Sequence, residues 1–378
     1  MSLTLKIILL LITVSFVACS NDDAVQPVDT FDRTKMLESQ LNLIIKPRLT
    51  TAKVSLDQLQ IDVTAFLESP SVGTLQTART QWIATYKNWI PVSFLDFGPG
   101  DGSFGTITEN IGTFPVRVVS GTSAIGAVLK GIETFIEEGD YSLNNFNRDT
   151  RGFLGLEYLL FSGSEAEIVS KFTTEVNAEN RKKYTSAVMQ DITKRFNDLH
   201  SAWNGEYQSN FISSKGTDVG SSTSLLYNSF LKSYESLKNF KIGLPNGSRA
   251  GQTKTEPEKV EGYYSGMSIE FAKINFESIK NIYRGYDVDS TMAIGFTDYL
   301  QSISGGEALV KSTYEQINAV DVVFAQMNTT PNLAQRIQSN DPLVSNLFIE
   351  LSKLTRYIKS DMSSLMGISI TYSSGDGD

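Results

Sequence analysis

The sequence predicts an all-α protein built from two packed helical bundles, and three observations carry that reading. Apolar side chains recur at steps of three to five residues almost everywhere outside the loops, strand-like alternation is nearly absent, and polar breaks at 213–222 and 243–255 interrupt the pattern. With 40% hydrophobic and 10% aromatic residues, the 378-residue chain can bury a sizeable core, and its length suggests about two domains. The bundles are expected at 31–212 and 213–378.

Ahead of them, residues 1–18 read as a signal peptide. One positive charge, Lys6, precedes an apolar run from Ile7 to Ala18. That run is too short for the roughly 20 residues a membrane-spanning helix needs, and it ends on small residues. Phe16-Val17-Ala18-Cys19 resembles the bacterial lipobox, in which the cysteine thiol is lipidated and becomes the new N-terminus. Cys19 is the sole cysteine of the chain, so no intrachain disulfide is available and the fold must stand on its core. Ser20-Asn21-Asp22-Asp23 resembles the acidic export tags that send lipoproteins of some Gram-negative bacteria to the outer face of the outer membrane; acidic residues there also serve simply as a solvated tether. Residues 19–30 are polar and contain Pro27, which discourages a helix, so a flexible stalk is expected. The membrane is then an anchor only.

Leu37, Leu41, Ile44, Leu49, Ala52, Leu56, Leu59, Val63 and Phe66 mark a first long helix, with a kink expected at Pro47. Leu75, Ala78, Trp82, Tyr86 and Trp89 mark a second, stopped near Pro91. The glycine-rich stretch 98–102 lacks the Gly-Lys-Ser/Thr ending of a phosphate-binding loop and reads as a connection. A helix is expected over 123–137, then one carrying Glu157, then a long one striped by Tyr184, Val188, Ile192, Phe196, Leu199 and Trp203. Beyond the second break, Val260, Tyr264, Met267, Phe271 and Ile274 mark a helix, as do Leu309, Thr313, Ile317, Val320, Phe324 and Met327. Val344, Leu347, Leu351, Leu354, Ile358, Met362 and Leu365 form the last stripe, and residues 368–372 are the one short strand candidate.

Charge narrows the function. The whole chain carries a net charge of −9, and removing the leader takes away one more positive charge. Without a basic stripe interleaved with aromatics, nucleic acid is not an expected partner.

The most informative segment is Arg151-Gly152-Phe153-Leu154-Gly155-Leu156-Glu157-Tyr158-Leu159-Leu160-Phe161, a single carboxylate inside an apolar helix. Burying an unpaired charge costs several kcal/mol or forces protonation, so Glu157 needs a partner, a network or a water-filled cleft. The segment resembles the Gly-x-His-x-x-Glu signature of the imelysin family, helical envelope proteins proposed as metallopeptidases and tied to iron uptake. Gly152 and Glu157 match; Leu154 stands at the histidine position. Arg79 with Trp82 and Trp89, then Phe97-Gly98-Pro99, resemble the family's early pattern. Gly243-Leu244-Pro245, Val260-Glu261 and Tyr264-Ser265-Gly266 with Ser268 resemble its second half, and residues 365–372 with the closing 375–378 its end. Together these segments span most of residues 35–378. The resemblance implies two helical bundles with the motif near their interface.

The resemblance implies less about chemistry. Family members often carry a glutamate where Ser93 aligns, so with Leu154 two expected polar ligands are missing. A leucine has no lone pair to offer, and a zinc peptidase wants three protein ligands and an open position. His200 is the chain's only histidine, and at the edge of an apolar stripe it reads as a boundary residue in preference to a ligand or base. Arg151 lies six positions from Glu157, off its helical face, which makes Arg249 the expected cation. Glu258 and Glu261, three apart on one expected helix face, are either a solvated acidic pair or oxygen ligands for a hard cation.

The expected protein is therefore a cell-envelope lipoprotein of imelysin type in a Gram-negative outer membrane, anchored through Cys19 and leaning away from enzymatic activity. It would bind iron, another divalent metal, or an iron-bearing ligand, in company with iron-uptake envelope proteins. Ligand-binding candidates are Glu157, Arg249, Glu261 and Ser265, with Glu157 the metal candidate. The alternatives are a metallopeptidase using Glu157 with unusual oxygen ligands, and a structural or interaction module.

Overall fold

The computed structural model describes residues 30–123, 126–143, 145–286 and 292–372. The leader, Cys19, nearly all of the stalk and the segment 375–378 lie outside them. Helix α1 (Arg33–Gln40) passes through a π-helical stretch, Leu41–Ile45, into α2 (Lys46–Glu68). Pro47 stands in the first turn of α2. A widened π turn lies just ahead of it, where the proline N lacks the hydrogen that would continue the ladder. Helix α3 (Val72–Trp89) begins on a capping box in which Ser71 and Thr74 satisfy each other's backbone N–H groups. It packs along α2.

A less regular stretch follows: β1 (Asp101–Gly102), β2 (Gly105–Thr106), α4 (Ile107–Ile111), β3 (Gly121–Thr122), β4 (Val128–Leu129) and α5 (Ile132–Glu138). Then come α6 (Gly152–Phe161), α7 (Glu165–Lys171), the long α8 (Ala178–Asn204) and α9 (Tyr207–Ser213). Helix α8 buries the stripe read from the sequence, Tyr184 through Trp203, against α2 and α6. Helix α6 is buried on every side from Gly152 to Leu160, wedged against α3, α4 and α8. An amphipathic pattern would be out of place in such a helix, and its sequence is accordingly apolar all round except at Glu157.

The second half comprises α10 (Ser222–Glu235), continued by a π-helical stretch Ser236–Gly243, then α11 (Ser268–Arg284), α12 (Phe296–Gln301), α13 (Gly306–Gln326), α14 (Leu333–Gln338), α15 (Pro342–Thr355) and α16 (Met362–Met366). A third π-helical stretch, Arg356–Asp361, joins the last two. Helices α10, α11, α13 and α15 form the packed centre of this half, and α1 reaches across to touch both α9 and α10. The two sets of helices meet through aromatic rings: Phe271 of α11 lies 4.7 Å from Tyr86 and 6.1 Å from Trp82 of α3. The described residues from Phe31 to Tyr372 form one compact unit. No helix among the described residues is long and apolar enough to cross a membrane.

Three sequence expectations are corrected. The helix expected over 123–137 starts only at Ile132; glycines at 121, 126 and 131 give instead the β3–β4 hairpin, in which Gly121 pairs with Leu129. The helix read from Val260 to Ile274 starts at Ser268. Gly262 and Gly266 take positive φ, 69° and 72°, and fold 260–266 into consecutive turns. Residues 368–372 form no strand. Asn228 holds that segment instead, donating to the Ser369 carbonyl at 3.0 Å and accepting from the Thr371 N–H at 2.8 Å, so one side chain replaces a strand partner.

Gly152 is held by backbone, not by chemistry. Its φ is +73°, and a Cβ there would sit 2.6 Å from the Ile111 carbonyl oxygen. The sharp entry it allows lets Trp82 Nε1 donate to the Phe153 carbonyl at 3.0 Å, fixing α6 against α3. Gly152→Ala is expected to cost about 2 kcal/mol or more from strain and close approach. Urea unfolding of the purified protein reads this as a lowered midpoint at unchanged m-value; an unchanged midpoint contradicts the account.

Candidate functional site

Five residues beyond Gly152, Glu157 points from α6 toward the turns at 260–266 and is 1% exposed. Those turns exist because Gly262 and Gly266 permit them, and they aim the Ser265 N–H at Glu157 Oε1, 2.8 Å away. Ser265 and the Tyr264 backbone are hydrogen-bond partners that favour the ionised form. Burial works against ionisation more strongly, and the nearby Glu261 carboxylate adds to it, so the Glu157 carboxyl is pushed up to about 7. Among the described residues, no cation is one of the main influences on it.

Arg249, expected to be that cation, is elsewhere. Its guanidinium lies over the Phe240 ring at 4.5 Å, and its backbone N–H donates to Gln252 Oε1 at 3.1 Å, which folds the 243–255 loop on itself. The cation at this site is Lys241, in the π-helical stretch after α10, and it serves Glu261. Lys241 Nζ lies 3.0 Å from Glu261 Oε2, while the Tyr86 hydroxyl donates to Oε1 at 2.7 Å. Tyr86 stacks on Trp82 with centroids 5.1 Å apart, so the donor is fixed by the same aromatic interface that joins the two halves. Burial and the two glutamates raise the Tyr86 hydroxyl well above its ordinary range, which keeps it a donor.

Two cavities flank these carboxylates. A small one of about 30 Å³ borders Glu157 and is walled by Leu154, Phe114, Val260 and Tyr264. Leu154 therefore faces the same space as Glu157 and gives it an apolar wall. The other, of about 70 Å³, borders Glu261 and Lys241 and is lined also by Ser93, Asp96, Lys232 and Asn275. Ser93 spends its hydroxyl hydrogen on the Ile90 carbonyl at 2.8 Å. Lys232 pairs with Asp96 at 2.9 Å.

The sequence candidates thus divide. Glu157, Glu261 and Ser265 come together; Arg249 does not join them. Glu258 is exposed on a short 3-10 turn, Pro257–Lys259, so it shares no helix face with Glu261, although it lines the rim of the smaller cavity. His200 is half-buried on α8, where burial and Lys53 of α2 lower its pKa, partly offset by Asp57. Tyr86 and Lys241 escaped sequence reasoning. Tyr86 was absorbed into an apolar stripe, yet a tyrosine between two buried tryptophans requires a hydroxyl partner. Lys241 sits between Phe240 and Ile242, but Lys232, Glu235 and Lys238 precede it in the same segment, so it lacks the isolation that singled out Glu157.

A resident zinc or other divalent ion does not fit these residues. Leu154 offers no ligand, Glu157 is occupied by hydrogen-bond donors and resists ionisation, and the Lys241 ammonium already neutralises Glu261. Among the described residues no group of three His, Cys, Asp or Glu side chains is placed to hold a metal ion.

Residues 45–351 match the model of the imelysin peptidases. The chain is 19% identical over 275 residues to iron-regulated protein A of Synechococcus elongatus, covering 70% of this chain and 68% of that protein. Among solved structures, a proposed iron-regulated protein A precursor from Parabacteroides distasonis superposes with a TM-score of 0.69 at 18% identity, covering 88% of this chain and 95% of that one. An imelysin-like protein from Psychrobacter arcticum gives a TM-score of 0.67 at 18% identity, covering 90% and 97%.

The raised Glu157 pKa carries a signed consequence. An unfolded glutamate ionises near 4.5, while the folded one holds its proton to about 7. Between these values the native state binds more protons than the unfolded chain, so the contribution of this group to stability falls as pH rises and is lost above about 7. Such a shift corresponds to about 3 kcal/mol. Glu157→Gln is expected to match the wild type near pH 5 and to exceed it in urea midpoint at pH 8. Parallel pH profiles for the two proteins would refute the assignment.

Proposed function

The chain belongs to the imelysin family, and we propose that it is a non-catalytic binding component of the cell envelope, serving iron handling through an iron-bearing ligand or partner and not through a metal ion held at Glu157. The observation that carries this reading is that both buried carboxylates are already accommodated from within: Glu157 by burial and donors from 264–265, Glu261 by Tyr86 and Lys241. A peptidase of the metal type would need those oxygens free and a third ligand near them. The iron connection rests on the relatives, one of which is named an iron-regulated protein. The envelope location rests on the leader and on the lipobox-like Phe16-Val17-Ala18-Cys19. Outer-membrane attachment through lipidated Cys19 is part of the same proposal.

Two experiments test it. Elemental analysis of the purified protein is expected to find no stoichiometric zinc or iron, and a strain lacking the gene is expected to grow more slowly under iron chelation. About one equivalent of metal that is lost on Glu157→Gln, or chelator-sensitive proteolysis abolished by that change, would replace the proposal with the metallopeptidase reading. Unaltered growth across iron limitation would remove the iron role. For the anchor, labelled fatty acid is expected on the wild-type protein and absent from Cys19→Ser; equal labelling of both would overturn it.

A further inference from the structure

We infer that the cavity of about 70 Å³ beside Glu261 receives a vicinal diol, the hydroxylated edge of a neutral sugar or polyol, with Glu261 Oε2 accepting one of its hydroxyl hydrogens. The inference rests on the binding reading above and deepens it by naming the chemical class this cavity selects.

The wall of this cavity is rich in acceptors and short of donors. Glu261, 4% exposed, gives Oε1 to the Tyr86 hydroxyl, but among the described residues no hydrogen-bond donor is aligned on its buried Oε2. Lys241 Nζ, 3.0 Å from Oε2, supplies charge without that alignment. Three hydroxyl side chains of the lining have spent their hydrogens on backbone carbonyls: Ser93 on Ile90 at 2.8 Å, Thr108 on Ser93 at 2.7 Å, and Ser229 on Phe94. A hydroxyl has one hydrogen and two lone pairs, so each of the three can now only accept. A buried carboxylate oxygen left unmatched is costly, and the space beside it is this cavity. Trp89, Phe94 and Phe114 complete the lining with apolar surface.

Occupants can then be ranked by what they leave unsatisfied. A carboxylate would set acceptors against acceptors. A metal ion or an ammonium would find oxygens, but would lie against the ammonium groups of Lys241 and Lys232. Those two already pair with Glu261 and Asp96, which leaves the lining close to neutral. A wholly apolar group would leave Oε2 as it is. Water can donate, but it covers the aromatic wall poorly. A diol donates to the carboxylate through charge-assisted O–H bonds, reproduces what a water would give, and lays its carbons on the rings. The volume is roughly half of the about 150 Å³ that takes up a benzene ring, so the cavity admits a diol edge and not a whole sugar. The rest of a larger ligand would lie toward Lys232, whose side chain is 41% exposed and marks the mouth.

Calorimetry on the whole protein with glycerol, mannitol, glucose and inositol, against acetate and methylammonium, tests the inference. The wild type is expected to bind at least one of the polyols and neither ion. Because Glu261→Gln alone would strand Lys241, the first variant is the double change Lys241→Met with Glu261→Gln, which removes both charges together. It is expected to bind the polyol about tenfold more weakly or worse. The second variant, Ser93→Ala, deletes one acceptor and leaves the ion pair alone; it is expected to keep the wild-type circular dichroism and to lose several-fold in affinity, so the test stands even if the double variant fails to fold. No heat with any polyol, which would leave water as the occupant, a response to acetate or methylammonium as large as to polyols, or unchanged polyol affinity in Ser93→Ala and in a folded double variant would overturn the inference. Polyol binding in a protein whose loss leaves iron-limited growth unchanged would uphold the ligand class while removing the iron role.

Discussion

Two carboxylates are buried close together in this protein, and a single ammonium is available to balance them. Most of what is distinctive about the central region follows from that constraint. Glu261 receives the ammonium of Lys241 and the hydroxyl of Tyr86. Glu157 receives neither, and is tolerated by keeping its proton to about 7 and by accepting the Ser265 N–H. Four separate parts of the chain are thereby tied together: α3 through Tyr86, α6 through Glu157, the π-helical stretch after α10 through Lys241, and the turns at 260–266 through Glu261 and Ser265. Three of these segments also contribute to the aromatic contact among Trp82, Tyr86, Phe153 and Phe271, or abut it. The polar pairs therefore sit inside the joint between the two halves, where a dry environment strengthens each satisfied bond and penalises each broken one.

Much of the helical architecture was legible in the sequence, because long amphipathic segments such as α8 and α13 advertise their buried faces by spacing alone. Where the reading failed, local backbone geometry had overridden side-chain spacing. Val260, Tyr264 and Met267 keep a helical interval, yet Gly262 and Gly266 turn the chain before a helix can form. Over 123–137, glycines again set a hairpin where apolar residues suggested a helix. The site was partly legible for a similar reason. Glu157 stood out as a lone charge among apolar neighbours, and Ser265 and Glu261 followed from the family resemblance. Which cation answered which carboxylate was not readable, since Arg249 and Lys241 lie only eight positions apart and their roles are divided by the loop that begins after Gly243.

Family membership and local chemistry point in different directions here, and the structure shows why they can. The helical frame is one shared with solved imelysin-like structures. Leu154, where the resemblance places a histidine, supplies an apolar wall to a cavity of about 30 Å³, and Ser93 points its hydroxyl hydrogen back to the Ile90 carbonyl in the turn that follows α3. A frame of this kind holds side chains in fixed directions whatever their chemistry, so a change of two residue types alters the site without altering the fold.

The π-helical stretch Ser236–Gly243 adds a condition of a different sort. A π turn accommodates one more residue than the α-helix it interrupts. Such a turn takes in the extra residue without rotating the helix beyond it, whereas the same insertion in a regular α-helix would swing the following side chains by about 100° around the axis. Sequences that carry the extra residue and sequences that lack it can therefore present the same faces on either side of the stretch, and the difference falls on the side chains inside it, Lys241 among them.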